Sequence, residues 1–372
     1  MTATLVERLR FNGACSFSRT NPNYIYGRSS THGNHQTITR ADLSTQPATY
    51  TVVVDAEVII PALVGAGTYL ADIFTADDNS LNFMTGGEVG DFSHYVVRYP
   101  LDNPGAAQIL NTNTRASMFK TYGVGPDVHS ASPDLSGRFI QMTVSGYQGR
   151  SDYQWVWDTL LDTTKEITVS RWGHGGLGYG WAVNQDTNSG TWDGLQWTMR
   201  DLLAPNGPAP APRNLIGTVL LPVETYIAEH GNLNNNHATS GFLPYTAATY
   251  RYFDGPYNTN NPPTSYQNMS AWRAWDDEII QVPTDGLGGP VARFAHHRSW
   301  VWPEAVAERQ RPFEFWALPK ANVSPDGRWA AFTSNWEHTL DMDAYDTDDT
   351  GTRGNKHRQD LFIVELITGI TP

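Results

Sequence analysis

Cysteine is nearly absent from this chain. The single one, Cys15, leaves no partner for an intramolecular disulfide and no thiolate set for a zinc site. Set in the stretch ACSF, it reads as a buried thiol. Charge is also scarce, with Asp, Glu, Lys and Arg making up 17% of 372 residues. What charge there is sums to −13, a field that repels nucleic acid and anionic membranes and excludes nonspecific binding to either. No run of roughly eighteen apolar residues occurs, so no membrane insertion is expected. The start MTATLVERLRFNGACSF lacks the apolar centre of a secretory leader. The location is then cytoplasmic, or periplasmic or secreted if this N-terminus is trimmed; the sequon at Asn268 is compatible with the latter. Neither Gly-x-Ser-x-Gly nor His-Glu-x-x-His is present, and GHGGLGYG lacks the Lys-Ser/Thr of a phosphate-binding loop.

What the chain has instead is turn formers and rings: 33 Gly, 23 Pro, 13 Trp and 12% aromatics, with no long Ala/Glu/Lys/Leu run. That is the profile of an all-β protein. Four segments, at 15–29, 69–87, 128–146 and 321–336, share a polar entry, a Pro/Asp/Asn turn and then an alternating apolar strand. Second and third strands follow in YVVRYPLDNPG, YQWVWDTLLD, DLFIVELITG, TYTVVVD and KEITVSR. Meanders repeating at roughly 50 to 60 residues predict a β-propeller of six or seven four-stranded blades. The whole of 1–372 is read as a single domain, with a partial N-terminus as one source of the uncertain blade number. Two packed β-sandwiches are the competing architecture.

The residues NVSPDGRWAAFTSN at 322–335 resemble the blade turn of TolB-like and WD-like bacterial propellers. SASPDLSGRFIQ looks like a weaker copy, with two residues inserted between Asp134 and Gly137. The broader architecture includes oligogalacturonate and ulvan lyases, so the resemblance implies a propeller and opens the prospect of acidic-glycan cleavage. No catalytic motif of those lyases matches here residue by residue, and none of their site residues is carried over.

Candidate chemistry is sought where polar residues stand just before inner strands. β-Elimination from a uronic acid needs a base, an acid and a cation to neutralise the carboxylate. The catalytic candidates are His174 and Tyr179 in GHGGLGY, His237, Arg251 and His297; His230, Tyr250, Arg293 and Arg298 are candidate ligand contacts. The expected partner is a carbohydrate or other polar ligand, and the alternative is a non-catalytic protein-recognition or scaffolding propeller. No cofactor is identified; histidines would suit a divalent metal, and the Asp341–Asp349 loop has oxygens for calcium, although it reads better as a hydrated loop. In RFAHHRSW, strand alternation puts Arg293 and His297 on one face and His296 on the other, so His297 is expected at the ligand site and His296 in packing. Trp155 and Trp157 are expected in the core.

Overall fold

Alternating apolar segments pair into antiparallel meanders throughout a computed structural model of the protein. It describes residues 11–29, 37–63, 69–86, 94–119, 127–145, 153–166, 175–187, 195–202, 213–214, 225–227, 233–234, 244–251, 277–284, 290–299, 319–336, 340 and 360–366. The first sheet is β1 (Phe11–Phe17), β2 (Tyr24–Ser29), β3 (Thr37–Asp42) and β4 (Thr49–Asp55), each beside the next. The second runs β5 (Tyr69–Thr75), β6 (Ser80–Gly86), β7 (Tyr95–Pro100) and β8 (Gln108–Asn111). The third runs β9 (Asp127–Pro133), β10 (Phe139–Ser145), β11 (Tyr153–Asp158) and β12 (Thr163–Glu166). Next come β13 (Gly175–Leu177), β14 (Trp181–Thr187), β15 (Leu195–Asp201) and β16 (Arg213–Asn214), then β17 (Thr225–Ile227), β18 (Tyr245–Arg251), β19 (Glu278–Val282) and β20 (Ala292–His296). The last sheet is β21 (Asn322–Val323), β22 (Trp329–Ser334) and β23 (Asp360–Glu365).

This is an all-β propeller. The expected six or seven four-stranded blades are corrected: among the described residues five sheets have four strands and the last has three. The chain divides into two compact units. The first holds 1–173, 179–181 and 201–211; the second holds 174–178, 182–200 and 212–372.

Each unit has cores where successive sheets meet face to face. In the first unit, Ile38, Val54, Leu70, Ile73, Leu81, Phe83 and Val97 join the first two sheets. Met84, Val96, Leu110, Ile140, Met142, Trp155 and Trp157 join the second and third. Both tryptophans are buried as expected, and Trp155 lies tilted against Phe119 with centroids 5.1 Å apart. In the second unit, Ala248, Ile279, Val323, Ala330 and Phe332 form the corresponding cluster. Full burial of such side chains stabilises by about 1.5–3 kcal/mol each, and their alternation along the strands fixes which face turns inward. Cys15 departs from expectation: it is exposed on β1, although the burial it does have still pushes its thiol pKa up.

The turns reveal the repeat more sharply than the sequence does. At 324–329, Ser324 N–H donates to Trp329 O (2.8 Å), Gly327 N–H donates to Ser324 O (2.8 Å), and Gly327 has φ +71°. At 134–139, Asp134 N–H donates to Phe139 O (2.7 Å), Gly137 N–H donates to Asp134 O (3.0 Å), and Gly137 has φ +79°. Asp134-Leu135-Ser136-Gly137-Arg138-Phe139 is therefore the structural counterpart of Ser324-Pro325-Asp326-Gly327-Arg328-Trp329. The expected two-residue insertion does not exist. Asp and Ser have exchanged places, and the hydroxyl–carboxylate bond persists as Ser136–Asp134 (2.6 Å) and Ser324–Asp326 (2.5 Å). The following arginine bonds the carboxylate ending the third strand in both, Arg138 with Asp158 and Arg328 with Glu365.

Candidate functional site

The structure leaves part of the expected constellation outside view. His174, His230, His237 and the Asp341–Asp349 loop lie outside the described residues, as do the side chains of Tyr250 and Arg251. On the backbone, Tyr250 pairs with Tyr226 and Arg251 with Thr225 at the end of β18. Among the described residues no cluster of three or more His, Cys, Asp or Glu could hold a metal ion.

Tyr179 belongs to the first unit, in the turn before β14. Its hydroxyl donates to Asp77 Oδ2 at 2.5 Å, while Arg19 Nε donates to Asp77 Oδ1 at 2.5 Å. Burial, then the Asp77 carboxylate, push the Tyr179 pKa up, so it remains a phenol and is a poor base. Beside it, Asp134 is fully buried and accepts from Gly180 N–H (3.0 Å) and Phe139 N–H (2.8 Å). Within the first unit these contacts tie the Tyr179–Gly180 turn to the first turns of the second and third sheets.

In the second unit the expected alternation fails at a bulge. Glu278 pairs with His296 and Ile279 with Ala295, but Ile280 pairs with Arg293, leaving Phe294 as the extra residue. Arg293 and His296 consequently reach the same buried carboxylate. Arg293 donates from Nε to Glu278 Oε2 (2.6 Å) and from Nη2 to Oε1, with His296 Nε2 3.5 Å from Oε1. His297 turns the other way and is wholly buried. Its Nε2 lies 2.5 Å from Thr249 O, and its Nδ1 accepts Ser299 N–H at 2.9 Å. That acceptance fixes Nδ1 as unprotonated and Nε2 as the donor. Burial pulls its pKa down to about 4. The expected placement is thus reversed: His296 is exposed and His297 is interior. Arg298, at φ +55°, lies over the Trp336 ring, 5.5 Å from its centroid.

A cleft that the sequence reading passed over lies between the first two sheets, with a volume of about 410 Å³. Tyr24 and Tyr26 stand two apart on β2 and so share a face. Arg40, opposite Tyr26 on β3, lays its guanidinium over the Tyr24 ring at 4.4 Å. Tyr99 on β7 contributes from the second sheet, and the turns supply Thr20, Asn21, Asn79, Leu101 and Asp102. Asn79 holds the rim together. At φ +56°, a conformation Asn tolerates, it accepts from the Thr20 hydroxyl (2.9 Å) and donates to Asp102 Oδ2 (2.8 Å). Its carbonyl accepts from Leu101 N–H at 3.0 Å. Burial pushes the Tyr26 and Tyr99 pKa values up, so both hydroxyls stay protonated and can donate or accept.

No protein-family profile and no curated protein sequence matches the chain. Among solved structures it is similar to a prolyl endopeptidase, at 12% identity and a TM-score of 0.45, over 86% of this chain and 37% of that one. It is also similar to the β-propeller domain of the Trilobed protease from Pyrococcus furiosus, at 10% identity and a TM-score of 0.40, covering 81% of this chain and 70% of that one. The Myceliophteria thermophila Cps50 (Swd1) β-propeller domain matches at 8% identity and a TM-score of 0.34, over 63% of this chain and 65% of that one. The fold assignment rests on the chain's own sheets. No helix among the described residues is long and apolar enough to cross a membrane.

Proposed function

We propose that residues 1–372 form a single propeller domain that binds a polar, carbohydrate-class ligand in the cleft between its first two sheets without transforming it. One observation carries this reading: a cleft of about 410 Å³ combining three tyrosines with Arg40, Asp102, Asn79, Asn21 and Thr20. That volume falls in the usual range of small-ligand pockets, and a few convergent polar groups among ring surfaces are the usual recipe for orienting a bound molecule. Tyr24 is half-buried beside Arg40, while Tyr26 and Tyr99 are buried in the core behind the cleft and form its floor; amide and carboxylate groups meet the hydroxyls of a sugar.

Two observations weigh against turnover. Tyr179 is held as a phenol by Asp77, and His297 is sealed against Thr249 and Ser299, so neither is poised as a base for a bound substrate. His297 and Tyr179 are structural residues in this reading, and Arg293 serves Glu278 rather than a ligand. The test is a titration of the protein with neutral hexoses and short oligosaccharides, followed by tyrosine and tryptophan fluorescence. Saturable binding that weakens ~5-fold or more in Tyr24→Ala or Tyr99→Ala supports the reading. Binding unaffected by both variants, or none across the panel, overturns it. Release of unsaturated product from pectic or ulvan oligosaccharides would overturn the non-catalytic part alone.

A further inference from the structure

We infer that this cleft selects a polyhydroxylated carboxylate, with Arg40 clamping the carboxylate and Asp102 reading hydroxyls. The inference rests on the polar-ligand reading of the same cleft and specifies what that ligand must carry. Arg40 Nε is buried without a hydrogen-bond partner, and none of the side-chain hydrogen bonds or ion pairs among the described residues uses its guanidinium. Other arginines of the unit are committed: Arg19 to Asp77, Arg98 to Asp78, Arg115 to Asp162 and Arg138 to Asp158. Arg40 differs in making no side-chain ion pair among the described residues, although its charge still acts on Asp42 and helps to lower that carboxyl's pKa, after the Ser44 hydrogen bonds.

Its geometry says which group would satisfy it. The face of the fork is taken by the Tyr24 ring, a cation–π contact. Its edge carries the N–H donors, and a planar anion meets that edge with two parallel hydrogen bonds. Asp102, in the same lining, imposes the second requirement. Asp102 repels an anion, so what approaches it must donate; ligand hydroxyls do so, and Asn21 and Thr20 at the rim offer further polar contacts. A neutral polyol meets only the second requirement, and a plain fatty acid only the first.

Three six-carbon probes separate these requirements in the unaltered protein at pH 7: gluconate, sorbitol and hexanoate, measured by calorimetric titration. Gluconate should bind ~10- to 100-fold more tightly than sorbitol, the range for a hydrogen bond to a charged group, and more tightly than hexanoate. In Arg40→Gln the preference for gluconate over sorbitol should vanish, with the variant's fold checked by circular dichroism. Sorbitol binding as tightly as gluconate overturns the carboxylate assignment while leaving the carbohydrate reading standing. Hexanoate matching gluconate overturns the hydroxyl requirement. Failure of gluconate to bind overturns the assignment, and the neutral-sugar panel then decides the carbohydrate reading separately. Should Arg40→Gln not fold, the comparison of probes on the unaltered chain still carries the test.

Discussion

Asp72 should make the first unit lose stability as pH rises from acid toward neutral. It sits in β5 at φ +50°, where the register with β6 shifts between Ala71 and Phe74. Its carboxylate accepts Ala131 N–H at 2.8 Å, joining the second sheet to the third. Burial pushes its pKa from 3.8 to about 6, against smaller opposing effects of the Ala131 N–H and of His129. The folded state therefore holds a proton that the unfolded chain gives up first. The stabilisation is fully present below the unfolded value and is lost as pH rises through about 6. The difference corresponds to about 3 kcal/mol, or a shift of about 1 M in a urea midpoint. Asp72→Asn keeps an acceptor for Ala131 and cannot ionise. Urea unfolding of both proteins at pH 4, 5, 6 and 7 should show the variant gaining on the wild type by about that amount across the range. A constant gap from pH 4 to 7 would refute an enclosed carboxylate at this bulge.

His297 carries the opposite sign. With its pKa lowered to about 4, its contribution is present above the ordinary histidine value and lost as pH falls toward 4. His297→Ala should cost about 3 kcal/mol through a cavity and the loss of its bonds to Thr249 O and Ser299 N–H, and a thermal midpoint within a degree of wild type would contradict that role. Arg293→Ala should destabilise by about 1–3 kcal/mol by leaving the buried Glu278 carboxylate with only the longer His296 contact, and adding Glu278→Gln should restore part of the loss; additive losses in the double-mutant cycle would sink the pairing. Gly137→Ala combines φ +79° with a Cβ only 2.2 Å from Asp78 Oδ1, whose carboxylate is held by Arg98. A loss of about 2 kcal/mol is expected, read as a lower melting temperature, and an unchanged one would refute the close approach.

Alternation made the strands legible: TYTVVVD, YVVRYP, YQWVWD and DLFIVE all appear as the strands expected from their period of two. Turn register was less so. Pro133-Asp134 repeats the Pro-Asp of 325–326 in sequence, whereas the hydrogen bonds align the glycines and let Asp and Ser trade places. At 292–297 no glycine or proline announces the bulge, so a strict period put His297 where His296 lies. The cleft was the hardest to see. Tyr24, Arg40 and Tyr99 are brought together only by strand pairing and by packing of one sheet on the next. A Tyr-Ile-Tyr alternation by itself reads equally well as core.

The most direct test of the account is a crystal structure of the protein soaked with a sugar from the binding panel. Ligand density between Tyr24 and Tyr99, in contact with Arg40, is the expected result. Density only in the second unit, beside Glu278 and His296, would contradict it.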